Sequence, residues 1–165
     1  MKGIVVLLSV LVFASLQTPR TVKGEYRLPA KGFAVDVPPD STGVLEGDPA
    51  VERGIRIALT SGGSVFVYAE MNAQEWRDPT AGVRWTIAVR DDCTPSTVSS
   101  VKIGPLVGAG TRLVCGEDIV RYALAFRPGD GPIYWLRLET KPSREAAETE
   151  ALNRIAASFR LIPWE

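Results

Sequence analysis

Histidine is absent from the 165 residues of this sequence. Its absence excludes histidine-dependent catalytic triads, histidine-containing zinc sites and the commonest general base near neutral pH. Phosphate-binding glycine loops are absent too, because the chain has neither a GxGxxG motif opening a helix nor GxxxxGK followed by Ser or Thr. Ser61, Ser64, Ser99 and Ser100 offer hydroxyl groups without a base to activate them. We therefore predict no catalytic residue, no metal and no cofactor.

An excess of charge of one sign is also missing, since 19 basic residues face 19 acidic ones. A general nucleic-acid binder needs a concentrated basic surface to neutralise phosphates, so nucleic acid is not an expected partner. The same balance gives no support for electrostatic docking to an anionic membrane. Loss of residues 1–24 would take the basic residues from 19 to 16 and leave a formal charge of −3.

Long hydrophobic runs are limited to one, the apolar stretch from Gly3 to Ala14 that follows Met1-Lys2. A basic end and a short apolar core predict a secretory signal peptide, because a membrane span needs roughly 20 apolar residues. Val22 and Gly24 suit the −3 and −1 positions of a cleavage site, and cleavage after Ala14 is an alternative. We expect residues 1–24 to be the signal peptide and residues 25–165 to form one domain without a stable membrane span, exported to the periplasm or the cell exterior. An uncleaved N-terminal anchor is the competing interpretation.

Cysteine occurs only twice, at Cys93 and Cys115, with 21 residues between them. In an exported chain this pair predicts a disulfide, which would stabilise the fold by roughly 3 kcal/mol by restricting the unfolded state. Two free buried thiols are the alternative. A redox-catalytic role is not expected, because the pair lacks the CxxC spacing that lowers a thiol pKa.

Alternating apolar residues predict most of the strands. The stretch from Thr111 to Thr140 is typical of three consecutive strands, with a turn at 127–132 between the last two. A strand at 33–37 ends at two prolines, and a strand pair at 55–59 and 65–69 places the second strand at the centre of the sheet. Val98, Val101 and Ile103 indicate a further strand, whereas the glycines from 104 to 110 are expected to form turns.

Helical spacing predicts two helices. Asp78-Pro79 has the chemistry of a helix start, and Ala81, Trp85, Ala88 and Val89 follow at helical intervals, although the same segment also alternates like a strand. We favour the helix, because a sheet needs a covering layer. The second helix begins near Pro142 and Ser143, and its apolar face is Leu152, Ile155, Ala156 and Phe159.

This order of elements, with Gly32-Phe33-Ala34-Val35-Asp36-Val37-Pro38 near the start and Ile155-Ala156-Ala157-Ser158-Phe159-Arg160-Leu161 at the end, resembles the PsbP-like superfamily over residues 26–161. The resemblance implies an α+β fold, an antiparallel sheet of about six strands covered by helices in an α/β/α sandwich. The superfamily includes an extrinsic photosystem subunit, a Ran-binding import factor and many exported bacterial proteins. It implies binding or assembly work, and no functional residue of the family carries over to a position in this sequence.

Two kinds of side chain could still form a site. The acidic pairs Asp91-Asp92 and Glu117-Asp118 would meet if the disulfide forms, and could hold calcium or act as general acid and base, although solvated turn acids are the simpler interpretation. Aromatic residues could line a groove, although packing in the core is the favoured fate for them. These residues are Tyr68, Trp76, Trp85, Tyr134 and Trp135.

The function predicted from sequence is that of an exported accessory or protein-binding module whose partner is another envelope or extracellular protein. A small carboxylate-dependent hydrolase or carbohydrate-binding protein is the alternative, and a purely structural envelope protein is the third. The surface predicted to bind consists of Glu117, Asp118, Arg127, Asp130, Trp135 and Arg137.

Overall fold

The computed structural model describes residues 20–45, 47–129 and 131–164, and in these ranges the chain forms twelve strands and two α-helices. The helices are α1 (Pro79–Ala88) and α2 (Glu145–Ser158), the latter preceded by a 3₁₀ turn at Pro142–Arg144. The strands are β1 (Thr21–Val22), β2 (Gly24–Leu28), β3 (Phe33–Val37), β4 (Ser41–Val44), β5 (Gly54–Leu59), β6 (Ser64–Glu70), β7 (Thr94–Pro95), β8 (Ser99–Ile103), β9 (Leu106–Cys115), β10 (Asp118–Phe126), β11 (Ile133–Thr140) and β12 (Arg160–Leu161).

The main sheet has nine strands in the described ranges, so the expected number of about six was too low. Its order is β1-β4-β5-β6-β11-β10-β9-β7, with β8 also paired to β9, and every pairing is antiparallel. The additional strands are short, and β1 and β7 contain only two residues each. Strands of two residues carry no alternation that a sequence pattern could reveal.

The glycines predicted to form turns lie partly inside a strand. Gly108 and Gly110 belong to β9, and only Gly104-Pro105 turns the chain, between β8 and β9. A Cβ atom on Gly108 would lie 2.0 Å from the carbonyl oxygen of Leu124 on the neighbouring strand β10. These glycines therefore permit a close approach of two backbones.

The predicted three-strand unit is confirmed as β9, β10 and β11, which pair in sequence order. The predicted hairpin is confirmed as β5 and β6, and β6 lies inside the sheet between β5 and β11. The strand at 33–37 is also confirmed, but β3 lies in a separate three-stranded sheet between β2 and β12.

The two helices lie on opposite faces of the main sheet, which gives the expected α/β/α layering. Helix α2 packs Leu152 and Ile155 into the larger core, and Phe159 just after the helix is 1% exposed. Helix α1 covers the other face and packs Val83 into a second core that includes Trp135. The helix predicted at α1 is thus confirmed, and the Asp78 carboxylate accepts a hydrogen bond from the Ala81 N–H at 3.0 Å.

The predicted disulfide is confirmed between Cys93 and Cys115, whose Cα atoms are 4.3 Å apart. It ties the chain after α1 to the end of β9. In the described ranges the structure has no helix with the length and apolar character needed to cross a membrane. The predicted signal peptide falls mostly on residues 1–19, outside the described ranges, and stays a prediction.

Candidate functional site

The predicted acidic turn lies at one end of the sheet, beside the disulfide. The carboxylate of Asp118 is 3.0 Å from the Lys141 ammonium, while Glu117 is almost fully exposed and 3.8 Å from it. A groove of about 510 Å³ opens here, lined by acids and cations together, including Asp92 and Arg90. Within the part of the chain that the structure describes, no cluster of three or more acidic or cysteine side chains is arranged to hold a metal ion.

Arg127 joins the β10–β11 hairpin to the second sheet. Its guanidinium donates hydrogen bonds to the carbonyl oxygens of Gly32 at 2.8 Å and Ile162 at 3.1 Å, and to the Tyr134 hydroxyl at 3.0 Å. The hydrogen-bonding capacity of this side chain is therefore largely used inside the molecule. Asp130, in the same loop, lies outside the described residues.

Trp135 and Arg137 lie on the sheet face that α1 partly covers. Trp135 is only 4% exposed, and its indole stacks on Tyr68 with ring centroids 6.1 Å apart. Arg137 donates a 2.6 Å hydrogen bond to Asp48, and its guanidinium carbon lies 4.0 Å from the centroid of the Phe66 ring. The six predicted surface residues are thus divided among separate places, and the prediction that they bind a partner together stays a prediction.

Two carboxyl groups on α2 are held in the ionised form by their surroundings. Glu145 accepts hydrogen bonds from Arg112 at 2.7 and 2.8 Å and from Arg121 at 2.6 and 3.1 Å. The Arg112 hydrogen bonds, with those of Arg121, lower the pKa of Glu145 to about 2. Burial alone would raise the pKa of Glu148, but hydrogen bonds from Ser61 and others, with the nearby Arg144 charge, leave that pKa lowered. A general acid in glycoside hydrolysis needs the opposite shift, so Glu145 and Glu148 are not suited to that role.

An exposed apolar surface lies on α1 and the loop before it. We call it the Trp85 face and define it as Met71, Trp76, Trp85 and Val89. Trp85 is 46% exposed, Val89 52% and Met71 53%, while Trp76 is partly buried with its ring centroid 5.6 Å from that of Trp85. Contiguous exposed aromatic and aliphatic side chains on a small domain are a common mark of an interaction site.

Helical geometry explains why these side chains point outward. Val89 directly follows α1 in a helical conformation, four positions after Trp85, so the two side chains lie on one side, whereas Gly82, Val83 and Thr86 are buried against the sheet. A Cβ atom on Gly82 would lie 2.9 Å from atoms of both Leu124 and Trp76. Glycine at this position therefore lets Trp76 pack close beside the helix.

The loop that carries Trp76 is held in one conformation by its own hydrogen bonds. The Asn72 amide donates to the Trp76 carbonyl oxygen at 2.8 Å and accepts from the Trp76 N–H at 2.9 Å. Glu75 has a φ of 51°, a left-handed conformation that is uncommon for a residue other than glycine. Beside this loop is a groove of about 480 Å³ whose apolar lining includes Met71, Trp76 and Phe126.

Cationic side chains flank the Trp85 face. Arg77 and Arg84 are exposed, and neither forms an ion pair with another residue of the described ranges. Arg90, just after α1, donates a 3.2 Å hydrogen bond to the Tyr122 hydroxyl. Arg112, Arg121 and Arg160, by contrast, are all bound to carboxylates.

In the sequence, Trp76 and Trp85 are only two members of a larger aromatic set, for which core packing is the expected fate. Tyr134 and Trp135 do lie in the core, whereas Trp85 is exposed. The spacing of Ala81, Trp85 and Val89 indicated a common helix face. It could not show that this face points to solvent, because Val83 and Ile87, four positions apart, form a second apolar side of the same helix.

Comparison with known proteins identifies the fold. The structure is similar to the solution structure of cyanobacterial PsbP (CyanoP) from Synechocystis sp. PCC 6803, with a TM-score of 0.58 and 14% sequence identity, covering 89% of this chain and 95% of that one. It is also similar to a crystal structure from Bacteroides thetaiotaomicron VPI-5482, with a TM-score of 0.50 and 13% identity, covering 84% of this chain and 48% of that one. No protein-family model and no curated protein sequence matches the chain. The chain therefore has a PsbP-like fold, as the order of its elements predicted.

Proposed function

We propose that this chain is an exported accessory domain that binds another envelope or extracellular protein through the Trp85 face. The observation that carries the proposal is an exposed tryptophan, Trp85, whose ring lies beside that of a second tryptophan, Trp76, which lines a groove of mixed polar and apolar character. Tryptophan and arginine are the residues most often found at the energetic centre of protein interfaces. The similarity of fold to CyanoP fits an accessory module, and assigns no partner.

The chemistry around Trp85 defines the class of partner. The groove beside Trp76 is large enough for an apolar side chain. Arg77 and Arg84 add two exposed positive charges that form no ion pair within the described ranges, whereas the groove also includes one carboxylate, that of Glu75. The complementary surface is a protein segment that presents an apolar anchor among acidic residues. The hydrogen bonds between Asn72 and Trp76 favour binding, because an ordered loop loses little conformational entropy when the partner arrives.

Site-specific crosslinking in the native envelope tests this proposal. A photoreactive residue placed at Arg84, which flanks the Trp85 face, should give one discrete adduct with a partner protein. The same residue placed at Glu150, which is exposed on α2 across the sheet, is the matched control and should give no such adduct. Trp85→Ala should abolish the Arg84 adduct, and moderate salt should weaken it because the charges involved are exposed. An adduct that Trp85→Ala leaves unchanged, or no adduct at Arg84, would contradict the proposal.

Export is tested on the same protein by cell fractionation and intact mass. Cleavage after Ala14 would keep strand β1 and its pairing with β4, whereas cleavage after Gly24 would remove it. Recovery of the full-length chain in the cytoplasmic fraction would overturn the prediction of export.

A further inference from the structure

Among the residues that the structure describes, the outer edge of β8 has unpaired backbone groups and lies beside a cleft. These two features point to a second binding mode, separate from the Trp85 face. Strand β8 pairs with β9 on one side only, and within the described ranges no strand pairs with its other side. Ser99, Ser100 and Lys102 are exposed along this edge. The strand therefore presents backbone hydrogen-bonding groups that the sheet does not use.

The turn at Gly104-Pro105 identifies which backbone groups are free. In a two-residue hairpin the flanking pair, here Ile103 and Leu106, is hydrogen-bonded, and bonded pairs then alternate along the ladder. By this alternation the N–H and C=O groups of Lys102 and Ser100 face away from β9. No hydrogen bond between these groups and any residue of the described ranges occurs.

A cleft lies directly beside this edge, between β8 and α2. We call it the β8 cleft; it has a volume of about 290 Å³. Its floor includes Val101, Ala123, Leu152 and Ala156, and the exposed Asn153 lies at its rim. A cleft of this size accommodates one or two small apolar side chains, which a strand added beside β8 would present at every second residue.

The charged side chains around the β8 cleft indicate the charge of the peptide that would bind there. Arg112, Arg121 and Lys102 line it, and Glu145 is the carboxylate bound to both arginines. Two positive charges against one negative charge leave the rim cationic. Lys102, like its exposed partner Val107 on β9, has its side chain on the opposite face of the hairpin from Val101, and there it adds a further positive charge beside the same edge.

We infer that the β8 edge binds an extended acidic peptide segment of a partner protein, which adds an antiparallel or parallel strand to the sheet. Its backbone pairs with Ser100 and Lys102, its small apolar side chains enter the β8 cleft, and its acidic side chains lie beside Lys102. Strand addition of this kind draws affinity from main-chain hydrogen bonds and specificity from alternate side-chain positions.

The test titrates the purified exported protein with a defined probe, an acetylated and amidated octapeptide of alternating valine with glutamate or threonine. We expect amide NMR shifts confined to β8, β9 and the Asn153 side of α2, with slower hydrogen exchange at the Ser100 and Lys102 amides. A peptide of the same composition with a central proline should not bind, because it cannot form a continuous strand.

Two substitutions at one position separate backbone pairing from side-chain effects. Lys102→Pro removes an outward N–H that β9 does not use, and should weaken peptide binding at least tenfold. Lys102→Ala keeps that N–H and should lose only the charge contribution, a change of no more than a few-fold. Ser100→Pro provides the same backbone test if Lys102→Pro does not fold, as judged by circular dichroism.

Three results would overturn the inference. The first is an absence of shifts at millimolar peptide, and the second is unimpaired binding by a folded proline variant. The third is a concentration-dependent dimer formed through β8, which would make a second copy of this chain the occupant. Trp85→Ala should leave peptide binding intact, so the outcome is independent of the function proposed for the Trp85 face.

Discussion

Replacing Trp135 and Trp85 with alanine, one at a time, distinguishes the core of this protein from its proposed docking surface. Trp135 is 4% exposed and packs against Tyr68, Trp76 and Tyr122 with ring centroids 6.1 to 6.3 Å apart. Removing a buried aromatic side chain costs about 3 to 5 kcal/mol. The free energy of unfolding of a domain is typically about 5 to 15 kcal/mol, so Trp135→Ala should remove a large part of it.

Trp85→Ala should behave differently, because that side chain is 46% exposed and its main ring contact is with Trp76. Such an aromatic pair contributes about 0.5 to 1.5 kcal/mol, so we expect a loss on the order of 1 kcal/mol. The proposed function requires that this small loss of stability is accompanied by loss of partner binding.

Urea unfolding followed by far-UV circular dichroism measures both changes without depending on tryptophan fluorescence. With a slope of about 2 kcal/mol per molar urea, Trp135→Ala should lower the unfolding midpoint by roughly 2 M, and Trp85→Ala by about 0.5 M. Equal losses for the two variants would refute the assignment of one tryptophan to the core and the other to the surface. A stable Trp135→Ala protein would also refute it.

Three further predictions concern the packing and electrostatics of the fold. Phe159→Ala should cost about 3 to 5 kcal/mol, because the ring is 1% exposed and stacks on Phe33 at 5.5 Å; an unchanged urea midpoint would contradict this packing. Replacing both Cys93 and Cys115 with serine should lower the free energy of unfolding by about 3 kcal/mol, and a reducing agent should then have no additional effect. The pKa of Glu145 falls from 4.5 to about 2 on folding, so its ionisation stabilises the protein above pH 4.5, and this contribution is lost as the pH falls toward 2. The stability difference between the wild type and Glu145→Gln should therefore shrink across that window, and a difference independent of pH would argue against the ion pair with Arg112 and Arg121.

Local sequence patterns predicted the elements well wherever one physical cause dominated. Successive side chains of β10 and β11 point alternately into the two cores. The resulting alternation in the sequence identified both strands. Asp78-Pro79 predicted the start of α1, because its capping chemistry acts within a single turn. The disulfide between Cys93 and Cys115 followed from their number and the expected compartment.

The candidate sites could be predicted only in part. Trp135 and Arg127 carry chemistry typical of binding surfaces, yet the structure buries the first and uses the second to link the two sheets. Trp85 has the same residue type as Trp135, and nothing in its sequence neighbourhood marks it as exposed. The difference arises from the way α1 lies on the sheet, with Val83 inward and Trp85 outward.

The sequence by itself determined the class of this protein: two helices with an apolar face, a set of alternating strands, one long apolar run near the start, and no histidine chemistry. Export of the chain stays a prediction. Only the tertiary structure decided that β3 leaves the main sheet, that Gly108 and Gly110 belong to a strand, and which aromatic side chains reach the surface. The physical reason is that alternation and helical spacing depend on neighbours along the chain. Strand partners, close backbone approaches and solvent exposure depend on residues far apart in sequence, such as Gly108 and Leu124.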